Sequence, residues 1–217
     1  MKPAGLPEKS FSAAVASAKL NEADSDGFRE GIDETEFHMA LVNNMQPSLN
    51  SAYSNGCSGT RQPLPEPKSM TVDRSLSKAD AAQMIKTARL FYAFWGTGNA
   101  EYASAAVDNE FRDNTLPQGR PQGLKGLLYA SQTFRTAVPD LHCTIEDLLV
   151  SGDKVTARLL FTGTHKGEFM GHPATGKPVR FFAIDILRIR NGKIVEDWHL
   201  EDNLTLFEQL GVVSLQK

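Results

Sequence analysis

The sequence predicts an α+β fold in which a curved antiparallel β-sheet wraps around helices that precede it. Two hairpin signals, Ser151-Gly152-Asp153 and Asn191-Gly192, join four strand-like runs in the second half of the chain. Two helical periodicities, near residues 77–95 and 124–137, come before them. Helices followed by a meander give a layered arrangement with one sheet face packed on the helices.

Taken in order, residues 1–75 form an extension that is largely irregular. Its Ser/Asn/Pro-rich text, MQPSLNSAYSNGCSGTRQPLPEPKS, offers too little apolar surface to offset ordering entropy, so a mobile arm is expected. Phe37, Leu41 and Met45 recur at helical spacing after Asp33, Glu34 and Glu36, which predicts one short helix near 34–45. Glu22, Asp24, Asp26, Gly27 and Asp33 echo a calcium loop. Its first ligand is Glu, its twelfth is Asp, and Arg29 fills an apolar slot, so the stretch reads as solvated acid.

Residues 76–217 carry the folded domain. Ser77 and Asp80 resemble a capping box, opening a helix to about Trp95 whose buried side holds Ala82, Ile85, Ala88, Leu90, Phe91 and Phe94. Gly96 and Gly98 end it. A short helix (AEYASAAV), a strand (EFRDNTL), a Pro/Gly loop (PQGRPQG) and a helix from about Leu124 to Ala137 follow, before the four strands and a terminal helix.

Composition excludes several classes. Net charge is −3 and no basic stripe occurs, which argues against a nucleic-acid partner. No apolar run is long enough to span a bilayer and the N-terminus lacks a secretory apolar core, so no membrane partner and a cytoplasmic location are expected. The two cysteines, Cys57 and Cys143, form no CxxC pattern, which suits a reducing compartment. No dinucleotide, phosphate-loop or nucleophile-elbow motif appears, and His199 and Asp202 fall on opposite strand faces, so neither cofactor nor metal is expected.

The last strand carries the functional signal. On strict alternation Ile194, Glu196, Trp198, Leu200 and Asp202 share one face, the more apolar one, and Asp202 ends it. A carboxylate at the end of a hydrophobic wall is a stronger base than in water, which suits proton abstraction from carbon. His165 ends a similar stripe of Val155, Ala157, Leu159 and Phe161. Structural alternatives stand beside each reading. Asp202 also suits the N-cap of the terminal helix, Trp198 the core, His165 a satisfied strand end, and Asn114 a loop fastener. Asp185, amid Phe181, Ala183 and Leu187, is a buried carboxylate that needs a partner; Arg180, Arg188 and Arg190 mark a solvated or subunit-facing surface.

VPDL at 138–141, the Gly152-Asp153 turn, GTHKGEFMGHPATGKPV at 163–179, and NGKIVEDW with EDN and QLG after it together resemble the SnoaL-like polyketide cyclases, also called ester cyclases, of the nuclear-transport-factor-2-like superfamily. The resemblance covers about residues 80–213. It implies a cone of curved sheet around one deep pocket, a small hydrophobic ligand or substrate, and a homodimer or higher homo-oligomer. It further implies cofactor-independent aldol closure of a polyketide ester, a lyase- or isomerase-like reaction. The family's acid/base aspartate then falls on Asp202, its pocket Trp on Trp198 and its histidine on His165. Asn114 stands where many members have the His of Asp-His-Asn, which puts a second acid/base there in doubt. Phe182, Phe94, Phe111 and Leu159 complete the expected substrate wall. The same scaffold also hosts non-catalytic binding or assembly modules, and isomerases, hydratases or epoxide hydrolases that would use the same aspartate.

Overall fold

A computed structural model describes residues 63–214. The predicted helix near 34–45, the acidic stretch at 22–33 and Cys57 lie outside the described residues. The elements are β1 (Met70–Val72), α1 (Lys78–Thr97), α2 (Ala100–Ala106), β2 (Val107–Asp113), α3 (Gly123–Ala137), β3 (His142–Ser151), β4 (Lys154–Thr164), β5 (Pro178–Arg190), β6 (Lys193–Glu201) and α4 (Asn203–Leu210).

The predicted α+β layout is what forms. The sheet order is β1-β3-β4-β5-β6-β2, curled but unclosed, with β3 to β6 an antiparallel meander. Both edges depart from the all-antiparallel expectation: β1 runs parallel to β3, and β2 parallel to β6. Each is separated from its partner by helical crossovers, the connection that parallel pairing requires. The early strand also begins at Val107 rather than Glu110. β1 lies in a stretch assigned from sequence to the irregular extension; three residues give too little alternation to read.

Local chemistry sets each boundary. The Ser77 side chain accepts from the Asp80 amide at 3.1 Å, and Gly98 closes α1 in the left-handed region. One side of α1 buries Ala88, Phe91, Tyr92 and Phe94 completely beneath the sheet, and each phenylalanine contributes on the order of 2–3 kcal/mol. Asn191 and Gly192 both adopt positive φ, 51° and 73°, the two-residue turn whose twist matches a hairpin. The glycines of GTHKG answer a packing need: a Cβ on Gly167 would sit 2.0 Å from the Thr136 carbonyl oxygen. That close approach lets the Lys166 and Gly167 amides both bond the carbonyl of Ala137 at the end of α3.

One irregularity matters most. Across β5 and β6, Arg188 pairs with Glu196 but Ile189 pairs with Ile194, so Val195 is an extra residue. This β-bulge reverses the facing of everything after it. Ile194 points into the core, and so do Asp197, His199 and Glu201; Trp198 and Leu200 point out. Strict alternation from Ile194 therefore put the wrong set inside. Among the described residues, no helix is long and apolar enough to cross a membrane.

Candidate active site

Between the concave sheet face, α3 and α4 lies a cavity of about 430 Å³. Its walls are aromatic: Phe161 and Phe181 stack at 5.1 Å between ring centres, and Phe134 meets Phe181 and Phe169 edge-on at 5.7 and 6.1 Å. Trp95 from α1 and Phe207 from α4 add to them. One end is charged. Asp113, Arg120, Asp185, Asp197, His199 and Glu201 all line it.

Strand register explains the convergence. Asp185 and His199 are directly paired on β5 and β6, Asp197 is two residues before His199 and Glu201 two after, so all face inward. Asp113 ends β2, paired with Asp197. The loop after β2 then folds back on it. Thr115 donates its amide and hydroxyl to Asp113 Oδ1 at 2.9 and 3.2 Å, and Arg120 Nη2 donates to Oδ2 at 2.8 Å. Gln122 grips the Asp113 backbone through its side-chain amide, accepting from N at 2.9 Å and donating to O at 2.6 Å.

His199 sits at the centre of a charged row. Its Nε2 lies 3.1 and 3.2 Å from the two oxygens of Asp113, and its Nδ1 lies 2.7 Å from Glu201 Oε1. Burial alone would lower its pKa; the carboxylates of Asp113 and Glu201 outweigh that and raise it to about 11. The imidazole is thus a standing cation. In turn, although burial pulls both acids upward, their bonds to His199 hold Asp113 and Glu201 below their ordinary values.

The deeper carboxyls behave oppositely. Asp185 is 5% exposed, and burial raises it to about 7 while the His199 charge pulls against the rise. Asp197 is 3% exposed and is pushed well above the carboxylate range by burial and by Asp185. Its Oδ1 has no hydrogen-bond partner. The cavity therefore holds two buried carboxyls that both keep their protons to higher pH than an ordinary aspartate, Asp185 to about 7. Carboxyls raised by burial inside a cleft are the pattern of acid/base sites.

The residues nominated from sequence are placed elsewhere. Asp202 is exposed and caps α4, accepting from the Thr205 amide at 3.1 Å. Trp198 lies on the outer face beneath Arg188 and Lys154, whose charges sit 5.2 and 5.6 Å from its ring, and Phe182 lies outside beneath Arg180 at 4.9 Å. His165 is fully buried, its Nδ1 3.1 Å from Thr175 Oγ1. Asn114 ties β2 to β6 through its amide to the Asp197 carbonyl at 2.9 Å, and its side-chain nitrogen has no partner. Phe94, Phe111 and Leu159 are core. None of these eight residues lines this cavity. Asp185 carried a readable signal, an acid in an apolar alternation. Asp197, His199 and Glu201 did too, as three ionisable residues at period two; the bulge hid which way they faced.

Residues 85–210 match the profile of a family described as SnoaL-like polyketide cyclase. A search of curated proteins finds no match. Among solved structures, a protein from Bacillus cereus named "putative polyketide cyclase" is 54% identical, covering 72% of this chain and 99% of its own at a TM-score of 0.65. IdmH from Streptomyces antibioticus, named in the same words, is 31% identical, covering 59% and 99% at 0.55. TsrD from Streptomyces laurentii is also 31% identical, covering 63% and 98% at 0.54.

Proposed function

The chain belongs to the SnoaL-like polyketide cyclase family, and from that premise we propose that it is a cofactor-independent acid/base enzyme that closes a ring in a hydrophobic, polyketide-like carbonyl compound by intramolecular aldol addition. The observation that carries the reading is the carboxyl pair Asp185 and Asp197, sheltered at the charged end of an aromatic cavity and both raised by burial. In this proposal Asp185 takes the role that the sequence had assigned to Asp202.

Asp185, as carboxylate, removes a proton from carbon beside a substrate carbonyl. Asp197, in its protonated form, which burial favours, donates a hydrogen bond to the enolate oxygen where charge develops. The enolate carbon attacks a second carbonyl of the same molecule, forming the new C–C bond. The resulting alkoxide takes the proton back from Asp185, so the carboxylate is regenerated and no net proton is consumed. The stacked phenylalanines hold a flat substrate and exclude the water that would quench the enolate.

The test is turnover of linear polyketide esters by the Asp185→Asn variant. Loss of ring closure with an unchanged fold supports the reading. Undiminished turnover overturns it and returns the role of base to another group, with Asp202→Asn as the next variant.

We also propose a homodimer through the outer sheet face, in a cytoplasmic setting. Pairing brings Ile184 beside Leu200 and Ile186 beside Trp198 on that face, and Ile184, Ile186 and Leu200 are 42%, 36% and 73% exposed. The buried free thiol of Cys143 suits a reducing compartment. Sedimentation of Leu200→Glu against the unaltered protein checks the interface: a shift to monomer supports it, and no shift removes it.

A further inference from the structure

We infer that His199 is a positioning residue, clamped between Asp113 and Glu201 as a permanent imidazolium so that its charge, set directly opposite Asp185 across the β5–β6 ladder, fixes the acid strength of Asp185. The inference rests on the acid/base reading above and deepens it. It assigns His199 a role other than proton shuttle, since the nearest polar atom to each ring nitrogen is a carboxylate oxygen, Glu201 Oε1 at 2.7 Å from Nδ1 and Asp113 Oδ2 at 3.1 Å from Nε2, with Arg120 Nη2 farther from Nε2 at 3.4 Å.

The clamp is built from four elements. From β2, Asp113 receives His199 on one carboxyl edge and, through Oδ2, Arg120 from the loop after β2 at 2.8 Å. Arg120 thereby keeps Asp113 anionic and prevents it from taking the imidazole proton. The His199 amide donates to Thr115 Oγ1 at 3.0 Å, and Thr115 in turn donates to Asp113, so backbone and ring are registered to the same carboxylate. From β6, Glu201 holds Nδ1, and from β5, Asp185 faces the ring. The other titratable groups facing this cluster are Asp197 on β6, Tyr92 on α1, whose phenol lies beside Asp185, Cys143 on β3, whose thiol also feels Asp185, and Tyr129 on α3, which lines the cavity.

The arrangement separates two functions that one histidine cannot perform together. A histidine that shuttles protons must change charge during turnover, and each change would move Asp185 with it. A doubly bonded imidazolium does not change. It offsets part of the burial that drives Asp185 upward and leaves that carboxyl alone to titrate near neutrality.

The experiment is a titration of the full-length protein, followed by the 13C and 1H signals of its histidine rings and of 13C-labelled aspartate carboxyls, on the unaltered protein and on His199→Asn and Glu201→Gln. In the unaltered protein the His199 ring stays at its imidazolium position through neutral and mildly alkaline pH. In His199→Asn, the Asp185 carboxyl titrates higher by about one pH unit or more, the usual worth of a nearby opposite charge. In Glu201→Gln, which alters the partly exposed side of the clamp, the ring loses a proton at lower pH than before. A purely structural histidine would move neither signal. Titration of the unaltered His199 between about pH 5 and 8, the range of an ordinary imidazole, overturns the clamp. An unmoved Asp185 in a folded His199→Asn overturns the coupling. No substrate is needed, so a failed clamp and a failed catalytic assignment are read separately. Where turnover is measurable, the rising limb of kcat/KM against pH shifts upward with the Asp185 signal in His199→Asn.

Discussion

Replacing Asp185 with asparagine should stabilise the protein while removing its proposed base, and the size of the gain follows from burial. The carboxyl has an ordinary value of 3.8 and is raised to about 7 in the folded chain. Holding it ionised inside the cavity thus costs about 4 kcal/mol at alkaline pH. The sign is fixed by the direction of the shift. The penalty is absent while both folded and unfolded chains bind the proton, grows as pH rises from 3.8 towards 7, and is complete above. Asparagine has nearly the same shape and no charge to desolvate. Urea unfolding at about pH 8.5 should give the variant an advantage of roughly 2–4 kcal/mol, the lower figure allowing for relaxation around the carboxylate; at about pH 4.5 the advantage should shrink to about 1 kcal/mol or less. An advantage equal at both pH values would refute the electrostatic account and leave packing as its cause. No advantage at either would mean that water or a neighbouring cation already solvates Asp185.

Other outcomes follow from the same geometry. Asp202→Ala removes the cap of α4 and should cost about 1 kcal/mol in unfolding experiments, with turnover unchanged because the side chain faces away from the cavity. Arg89 Nε and Nη2 bond the carbonyls of Pro65 and Leu64, each at 2.9 Å, and the side chain also meets Glu66. Arg89→Ala should therefore release the strand-bearing segment before α1, at a cost of about 1–2 kcal/mol, seen as faster limited proteolysis there. Arg120 and His199, the two cations lining the cavity, are already committed to Asp113 and Glu201. A substrate ester should therefore bind more tightly than its free carboxylic acid, by about tenfold or more; comparing the two by calorimetry checks this, and equal affinity would count against a fully paired charged end.

The layout was legible because it rests on local rules. Asn191-Gly192 and Ser151-Gly152-Asp153 specify hairpins wherever apolar alternation flanks them, and Ser77 with Asp80 specifies a helix start. The site was legible only in part, because it depends on phase. Alternation says which residues share a face, but an inserted residue at Val195 switches the faces within one strand. Ile194 is a true core residue, and extrapolation from it carried Trp198 and Asp202 inward on paper. The β4 strand, whose register against β5 is unbroken, reads correctly: Val155, Ala157, Leu159, Phe161 and His165 are all buried. The parallel edges were not legible, since their partners are chosen by crossovers far away in sequence.

The far end of β6 has the polarity of an ordinary strand turned inside out. Asp197, His199 and Glu201 face the interior, while Trp198 and Leu200 face solvent. Neither face would be favoured by folding alone. Burying two carboxyls and a histidine costs several kcal/mol that a Leu or Val at the same positions would not, and exposing Leu200 forgoes the gain of its burial. The inner cost is contained because the charges are paired in a row, Arg120 to Asp113 to His199 to Glu201, and among the buried carboxyl oxygens of the cavity only Asp197 Oδ1 is left without a hydrogen bond. The outer cost is contained in part by Arg188 and Lys154, whose side chains cover Trp198. What remains is the pair of features that the proposed function would use: two carboxyls raised by burial inside, and an aliphatic patch outside. A strand selected for stability alone would have neither, and the proposed ring-closing site and the proposed dimer would each use one face of the inversion.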